Sequence, residues 1–134
     1  MTKGKFLWLA GVAVVVFALS SCVAQVAPEG WLYLGKRNVN FRNDRDTIIV
    51  SGNVRPLSQL MVLARNYPVT VYDVRVFFAN GTSFDAVNRQ NLYPGGDRLY
   101  IDLPGGQRTV REVMFRYSRL PGKHKSAIVE LYGR

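Results

Sequence analysis

The chain has 134 residues, with 18 Lys and Arg against 9 Asp and Glu, a net charge of +9, one His and one Cys. This length fits one domain. A single Cys excludes an internal disulfide, and one His with one Cys excludes a His/Cys zinc site. A Ser-His-Asp or Cys-His catalytic site would have to use His124. The hydrophobic fraction of 48% exceeds that of disordered chains.

The N-terminal segment has the pattern of an export signal. Lys3 and Lys5 precede an uncharged apolar run of 14 residues, 6–19, which ends at two serines. Secretory signals carry apolar regions of roughly 7–15 residues, whereas a membrane-spanning helix needs about 20. The sequence therefore predicts a signal peptide over 1–21 and disfavours both a transmembrane anchor and a buried core helix.

The end of this segment, Leu19-Ser20-Ser21-Cys22, resembles the lipobox of bacterial lipoproteins. The resemblance implies that fatty acids such as palmitate modify Cys22, that the signal is cut just before it, and that the chain is held on a membrane. Val23 follows the cysteine where, in enteric bacteria, Asp favours retention in the inner membrane, so the resemblance favours the outer membrane. The alternative is cleavage after Ala24, which would release a soluble exported protein.

Removal of the signal leaves a mature chain of net charge +7, and 13 of its 16 basic residues are Arg. Arginine forms bidentate pairs with phosphate and carboxylate groups, so this composition favours an anionic partner. We interpret residues 22–29 as a tether and residues 30–134 as one β-sandwich domain.

The mature chain predicts an all-β fold, because short β-branched and aromatic runs alternate with turn residues. We expect an antiparallel β-sandwich or open barrel of seven to eight short strands. A turn is predicted at Asn43–Asp46, strict inward–outward alternation over Val69–Phe78, and a type I′ hairpin at Asn80-Gly81. The expected strands are 31–34, 47–50, 59–64, 69–78, 82–84, 98–103, 109–117 and 126–132.

The order of motifs resembles a family of small exported bacterial proteins that has no assigned function. The resemblance implies a compact all-β envelope domain, and it supplies no catalytic residues. The motifs that carry it are Trp31-x-x-Leu34-Gly35, Asp44-Arg45-Asp46-x-Ile48-x-Val50, Val74-x-Val76-x-Phe78-x-Asn80-Gly81, Ile101-Asp102-Leu103-Pro104-Gly105 and Arg108-x-Val110-x-x-Val113-x-Phe115-x-Tyr117.

Basic residues crowd the C-terminal quarter and form the candidate polyanion contact. They could meet lipid headgroups, lipopolysaccharide phosphates, peptidoglycan carboxylates or teichoic-type polymers. Export makes nucleic acid a poor partner. The alternative is a solvated face in which Arg116 pairs with Glu112 or Glu130. The basic residues are Arg108, Arg111, Arg116, Arg119, Lys123 and Lys125.

Aromatic residues support a second hypothesis, a carbohydrate or peptide groove. Aromatic side chains at alternate strand positions are more often core or cross-strand pairs. The residues concerned are Trp31, Tyr33, Tyr93, Tyr100 and Tyr132.

The acidic residues nominate no catalytic or metal site. Asp44 and Asp46 could form half of a calcium site, but a solvated turn explains them better. Asp97 and Asp102 could supply the two carboxylates of a glycosidase, but residues five positions apart on a regular strand point to opposite faces. We read His124 as a surface residue, and a hairpin turn explains the glycosylation-like triplet at Asn80.

We therefore expect a lipid-anchored envelope protein that faces the periplasm or cell surface and has a structural or interaction role. We expect no enzyme activity, cofactor or metal, and the sequence leaves the oligomeric state open. The alternative is a soluble periplasmic ligand-binding module. An enzyme ranks third, because one sequence cannot show which carboxylates folding brings together.

Overall fold

The computed structural model describes residues 27–40, 44–50, 55–86, 89–122 and 126–134. These residues form nine antiparallel strands in two sheets. None of the described residues is helical, so this part of the chain contains no apolar helix long enough to cross a bilayer. Cys22, Lys123, His124 and Lys125 lie outside the described residues. The prediction of an all-β sandwich is confirmed.

The nine strands are three to ten residues long, in the usual range for a small β domain. Their bounds are β1 Leu32–Val39, β2 Asp44–Ile49, β3 Gln59–Arg65, β4 Val69–Phe78, β5 Ser83–Ala86, β6 Gln90–Leu92, β7 Leu99–Asp102, β8 Val110–Arg119 and β9 Ala127–Gly133.

Two sheets face each other. Sheet A has the strand order β1-β9-β3-β7. Sheet B has the order β2-β8-β4-β5, and β6 pairs with β4 beside β5. Because β3 lies in sheet A and β4 in sheet B, the short segment between them carries the chain from one sheet to the other. Asn66, with φ of 70°, lies in this segment.

The core forms where the inward faces of the two sheets meet. Strand β8 directs Val113, Phe115 and Tyr117 inward, and β9 directs Val129 and Leu131 inward, as the alternation predicted. These five side chains are fully buried. The alternation leaves every second residue of each strand on an outer face, and the two outer faces differ.

The outer face of sheet A carries a second, smaller apolar cluster. Met61, Leu63 and Tyr132 are buried there, with Ala27 and Trp31 packed against them. A turn in which the Trp31 N–H donates to the Pro28 carbonyl precedes β1. The end of the segment interpreted as a tether is therefore held on this face.

Gly35 lets β1 approach sheet B closely. It lies at an irregularity in the β1–β9 pairing and has φ of 151°. A Cβ atom at Gly35 would lie 2.8 Å from Cγ2 of Ile48, a contact too short for a side chain. Glycine at this position therefore permits the edge strand of sheet A to contact β2.

The prediction of a turn over Asn43–Asp46 is wrong for the described part. In the backbone register of β2 and β8, Asp44 lies opposite Tyr117 and Asp46 lies opposite Phe115, so both aspartates belong to β2. Their carboxylates have local partners: Asp44 accepts from the Asn40 N–H and Asp46 from the Tyr117 hydroxyl. These hydrogen bonds explain how a polar segment is accommodated in a strand. Strand β6, with only three residues, was not predicted.

The hairpin after β4 forms where predicted but uses a different turn. Among these residues only Gly81 has positive φ, at 89°, and its N–H donates to the Phe78 carbonyl. The Phe78 N–H donates to Thr82 across the loop. This is a three-residue loop, a type I turn followed by a left-handed glycine, rather than the type I′ turn. The Asn80 carboxamide accepts from the Thr82 N–H and hydroxyl, which stabilises the loop.

Candidate anion-binding site

Two arginines stand side by side on the outer face of sheet B. Arg45 on β2 is the direct partner of Arg116 on β8, and Asp73 on β4 is the partner of Arg116 on its other side. The Arg116 Nε donates to Asp73. Among the described residues, Arg45 has no ion pair and is exposed. Like charges in direct register destabilise a sheet, so this arrangement leaves one cation without compensation.

A second ion pair lies beside the first. Arg75 on β4 donates from Nε and Nη2 to both carboxylate oxygens of Asp85 on β5. The Arg75 guanidinium lowers the pKa of the Asp85 carboxyl, chiefly through this hydrogen bond. Both side chains are about half exposed, so water screens the pair.

These residues line a cavity of about 360 Å³ on the outer face of sheet B. Three arginines and two aspartates border it, and the exposed part of Met114 contributes apolar surface. The charged residues are Arg45, Asp73, Arg75, Asp85 and Arg116. The cavity can therefore present guanidinium groups to an anion along one wall.

Tyr72 lines a second cavity and contacts Arg116, which lines the first. The Arg116 guanidinium lies 5.0 Å from the Tyr72 ring centroid and the Arg89 guanidinium 5.2 Å from it. The second cavity, of about 420 Å³, is lined by Arg89, Arg119 and polar groups of Thr70, Asn91 and Ser118. We call Arg45, Arg75, Arg89 and Arg116 the arginine face. Arg119 lines the second cavity, but its register opposite the buried Val69 places it on the inward side of β8.

The position of Tyr72 corrects the predicted alternation of β4. The β4–β8 register shifts between Val71 and Asp73, so Tyr72 is the extra residue of a bulge. Val71 is then buried and Tyr72 is only half-buried, with its hydroxyl 3.1 Å from that of Ser118. The bulge places an aromatic ring between two arginines.

The predicted basic residues are spread along the sandwich. Arg116 belongs to the arginine face, whereas Arg119 lies opposite the buried Val69 with its guanidinium 6.0 Å from the Tyr67 ring centroid. Arg111 pairs with Glu112 at 3.3 Å, nearer the start of β8. The Arg108 guanidinium lies 3.7 Å from the Phe78 ring centroid and donates to the Pro104 carbonyl, which gives it a structural role. Arg116 pairs with Asp73, and neither Glu112 nor Glu130 is its partner.

Sequence reasoning missed Arg45, Arg75 and Arg89 as members of this site. They come from β2, β4 and the residue before β6, which are far apart in the chain. The period of two in β4 placed Arg75 on the polar side of its strand. The sequence carried no signal for the neighbouring strand, because pairing across β2, β8 and β4 is a property of the topology.

The acidic candidates have structural partners. Asp97 accepts from the Tyr93 N–H, and Asp102 accepts from the Gln59 side-chain amide. Asp44 and Asp46 are engaged as described above. Within the described ranges, no group of three His, Cys, Asp or Glu side chains is arranged to hold a metal ion.

Four of the five aromatic candidates meet on the outer face of sheet A. Trp31 lies 5.9 Å from Tyr100, and Tyr33 lies 5.5 Å from Tyr132 between ring centroids. We call these four residues the aromatic face. The exposed fraction is 39% for Tyr33 and 49% for Tyr100. Tyr93 is exposed in the loop between β6 and β7, away from these ring contacts.

A buried carboxylate lies beside the aromatic face. Glu130 is fully buried, and its Oε1 accepts from Arg65 Nε at 2.8 Å and from the Tyr132 hydroxyl at 3.0 Å. Among the described residues, its Oε2 has no hydrogen-bond partner. Burial raises the pKa of the Tyr132 hydroxyl, and the hydrogen bond to Glu130 raises it further. The hydrogen bond to Glu130 likewise raises the pKa of Arg65.

Comparison with solved structures finds a likeness to AlgX of Pseudomonas aeruginosa. The TM-score is 0.50, with 12% sequence identity over 79% of this chain. The chain spans about a quarter of AlgX, 27% of its length. At this identity the likeness concerns the fold alone.

Comparison with curated proteins finds no match. The sequence pattern of one family matches residues 10–133, which is most of the chain and includes every strand of both sheets. The expected resemblance to a family without an assigned function is thereby confirmed. The chain belongs to the family described as a domain of unknown function, DUF2541.

Proposed function

We propose that the protein is a bacterial envelope lipoprotein, anchored through acylated Cys22, that binds an anionic polymer on its arginine face. Its role is recognition, with no bond made or broken and no cofactor. The anchor rests on the Leu19–Cys22 motif, and the outer membrane is favoured by Val23. The polymer carries phosphate or carboxylate groups, which arginine recognises through paired N–H donors.

The observation that carries this proposal is the register of Arg45 opposite Arg116. A structural ion-pair network would place an acidic residue opposite Arg45, and the sheet has a second arginine there. Within the described residues, Arg45 is left exposed without an ion pair. An anionic ligand would relieve the repulsion between the two cations, so the repulsion favours binding.

The shape of the face favours a polymer over a small anion. Tyr72 lines the second cavity, and its ring centroid lies 5.0 Å from the guanidinium of Arg116, which lines the first. Arginine residues line both cavities. Single exposed charge pairs contribute little, about 0–1 kcal/mol each. A chain of repeated anionic groups can engage several such sites at once, and its second contact is intramolecular. Affinity would then arise from several weak contacts and would fall as salt is added.

Binding of defined polyanions by the full-length protein, purified from membranes in detergent, tests the proposal. The probes are polyphosphate and polygalacturonate, with neutral dextran as the control polymer. The double variant Arg45→Gln/Arg89→Gln should bind about tenfold more weakly, since two surface contacts of about 0.7 kcal/mol each are lost. Preference for one probe would identify phosphate or carboxylate as the recognised group.

Matched control variants separate the site from overall charge. Arg55→Gln and Lys36→Gln remove the same total charge at exposed positions that line neither cavity. They should leave the affinity unchanged. Equal weakening by the control pair, or equal binding of dextran, would contradict a localised site. Arg45→Gln should not lower the melting temperature, because it removes a like-charge neighbour of Arg116.

A further inference from the structure

The described part of the chain begins at the aromatic face, on the outer side of sheet A. Ala27 and Trp31 pack against Met61, Leu63 and Tyr132 on the outer face of sheet A. Any acyl group on Cys22 is therefore attached to a chain that enters the fold on this face. Only five residue steps separate Cys22 from Ala27. Fully extended, those steps reach about 18 Å.

The side chains exposed on this face suit a lipid headgroup region. Tyr33 and Tyr100 are exposed, and Trp31 is half-buried beside Tyr100. Tryptophan and tyrosine are enriched at membrane–water interfaces, because their rings are apolar and their N–H or O–H groups are polar. Exposed aromatic side chains that lie together mark a surface suited to contact with a partner or a membrane.

Basic residues surround these aromatic rings. The Arg134 guanidinium lies 4.4 Å from the Trp31 ring centroid, and Arg98 donates to the sulfur of Met61. Lys36, on β1 opposite Glu130, is exposed. The Glu130 charge is paired with Arg65. Arg98, Arg134 and Lys36 outnumber Asp102, the exposed acidic residue two positions from Tyr100 on β7. Anionic headgroups attract basic groups that lie within a Debye length of the surface.

We propose that the aromatic face docks on the surface of the bilayer that holds the acylated Cys22. This inference rests on the proposed lipid anchor. The acyl chains supply membrane attachment, and Trp31, Tyr33 and Tyr100 fix the orientation of the domain with sheet A toward the lipid. The connection from Cys22 to Ala27 is at most about 18 Å long, which is comparable to the thickness of the sandwich, two sheets about 10 Å apart with their side chains. Docking through sheet A requires the least extension of this connection.

The orientation narrows the choice of partner for the arginine face. That face lies on the outer side of sheet B, across the core from the aromatic face. With sheet A on the lipid, the arginine face points away from the membrane that anchors the protein. Its anionic partner is then a polymer of the space beyond this membrane, and headgroups of the anchoring bilayer are excluded.

Trp31 is an intrinsic fluorescence probe for this arrangement. The sequence has two tryptophans, Trp8 and Trp31, and Trp8 lies in the proposed signal peptide. The full-length protein, processed in its host and confirmed by intact mass as acylated, is reconstituted in vesicles of phosphatidylethanolamine and phosphatidylglycerol. Lipids brominated near the glycerol end of the acyl chain should quench Trp31 emission. Emission in unbrominated vesicles of the same headgroups provides the reference for each variant.

Matched tyrosine variants test the role of the face. Tyr33→Ser/Tyr100→Ser should lose most of the quenching while remaining membrane-bound, because the acyl anchor persists. Tyr93→Ser changes an equally exposed tyrosine off this face and should retain full quenching. Tyr93→Ser should keep the melting temperature of the parent. Tyr33→Ser/Tyr100→Ser loses two ring contacts and should lower the melting temperature while remaining folded.

The outcomes separate this inference from the proposed function. A purified protein without acyl groups overturns the anchor and the docking together. An acylated protein whose Trp31 is not quenched, or whose quenching survives the double variant, overturns the docking and leaves polyanion binding intact. A neutral oligosaccharide that shifts Trp31 emission in the absence of vesicles overturns the docking in favour of a ligand groove.

Discussion

The outer faces of the two sheets have the same kind of backbone and opposite character. On sheet A, Met61 and Leu63 are buried beneath Ala27 and Trp31, and Glu130 is fully buried with Arg65 as its partner. On sheet B, the ion pairs Arg116–Asp73 and Arg75–Asp85 stay accessible to water. One outer face has become a second small core, while the other remains a charged surface.

The difference shows what determines whether the outward side of a central strand is apolar or charged. Central strand β3 is buried on both sides, since Leu60 and Val62 face the main core while Met61 and Leu63 face the smaller cluster. Central strand β8 is buried on one side, with Met114 and Arg116 at the surface of a cavity. An outer face becomes apolar where another segment of the chain covers it, whatever the position of its strands within the sheet.

The largest expected difference between the faces comes from two methionines on central strands. Met61→Ala should destabilise the protein by about 3 kcal/mol, because it opens a cavity beneath Trp31. Met114→Ala, at a half-buried position on the other outer face, should cost less than about 1 kcal/mol. Urea unfolding of both variants measures this. Equal losses would mean that the two faces are equally covered.

The ion pairs offer a second comparison. Arg65→Gln should cost about 2 kcal/mol, because it leaves the buried Glu130 carboxylate without its cation. The cost is below that of a fully buried pair, since the Arg65 side chain is 42% exposed and Glu130 is 0% exposed. Arg75→Gln removes the cation of an exposed pair and should leave the melting temperature unchanged.

A partial rescue sharpens this test. In the Arg65→Gln background, Glu130→Gln removes the unpaired buried charge and should restore part of the lost stability, so the two effects would not add. Fully additive losses would show that Arg65 and Glu130 act on stability independently, and would contradict the interpretation of the pair.

The third comparison concerns buried tyrosine hydroxyls, whose expected effect at neutral pH is about 1 kcal/mol and which also give a pH dependence. Burial, with the hydrogen bond to Asp46, raises the pKa of Tyr117 in the folded state far above its ordinary value of 10.0. Burial also raises the pKa values of Tyr33 and Tyr132. Their contribution to stability is complete below pH 10, where these tyrosines are neutral in both states. Above that pH the unfolded state loses protons that the folded state keeps, so stability falls as pH rises toward the folded pKa.

The buried Tyr117 contributes a slope of up to about 1.4 kcal/mol per pH unit, and the partly exposed Tyr33 contributes less because water screens it. Tyr117→Phe should reduce the alkaline slope while costing about 1 kcal/mol at neutral pH for the lost hydrogen bond to Asp46. Unfolding free energies between pH 8 and pH 11 measure both. An unchanged slope of stability against pH in this variant would mean that groups other than Tyr117 cause the pH dependence.

Local pattern predicted most of the strands and few of the contacts between them. The alternation in β8 and β9 identified their buried residues, because a single strand carries that information. The bulge at Tyr72 broke the same rule in β4, since the register with β8 and the packing of Val71 determine which side is buried. The turn predicted around Asp44 was wrong, because the polar residues that signal a turn found partners in Asn40 and Tyr117.

The residues of the candidate site also differ in whether the sequence could nominate them. Arg116 could be nominated because it lies in the basic C-terminal cluster, whereas Arg45, Arg75 and Arg89 join it only through pairing of distant strands. Arg108 belonged to the same sequence cluster, yet it packs on Phe78 at 3.7 Å. Proximity in sequence therefore selected one member of the face and could not exclude a structural arginine.

By itself the sequence determined the β-rich character of the domain, the inward residues of its regular strands and the excess of arginine, since these depend on side chains within one segment. The tertiary structure decided that Arg45 lies opposite Arg116, that Glu130 is buried with Arg65, and that Trp31 meets Tyr100 on the side where the chain enters. These pairings follow from strand order and register, which are set by the packing of the whole core.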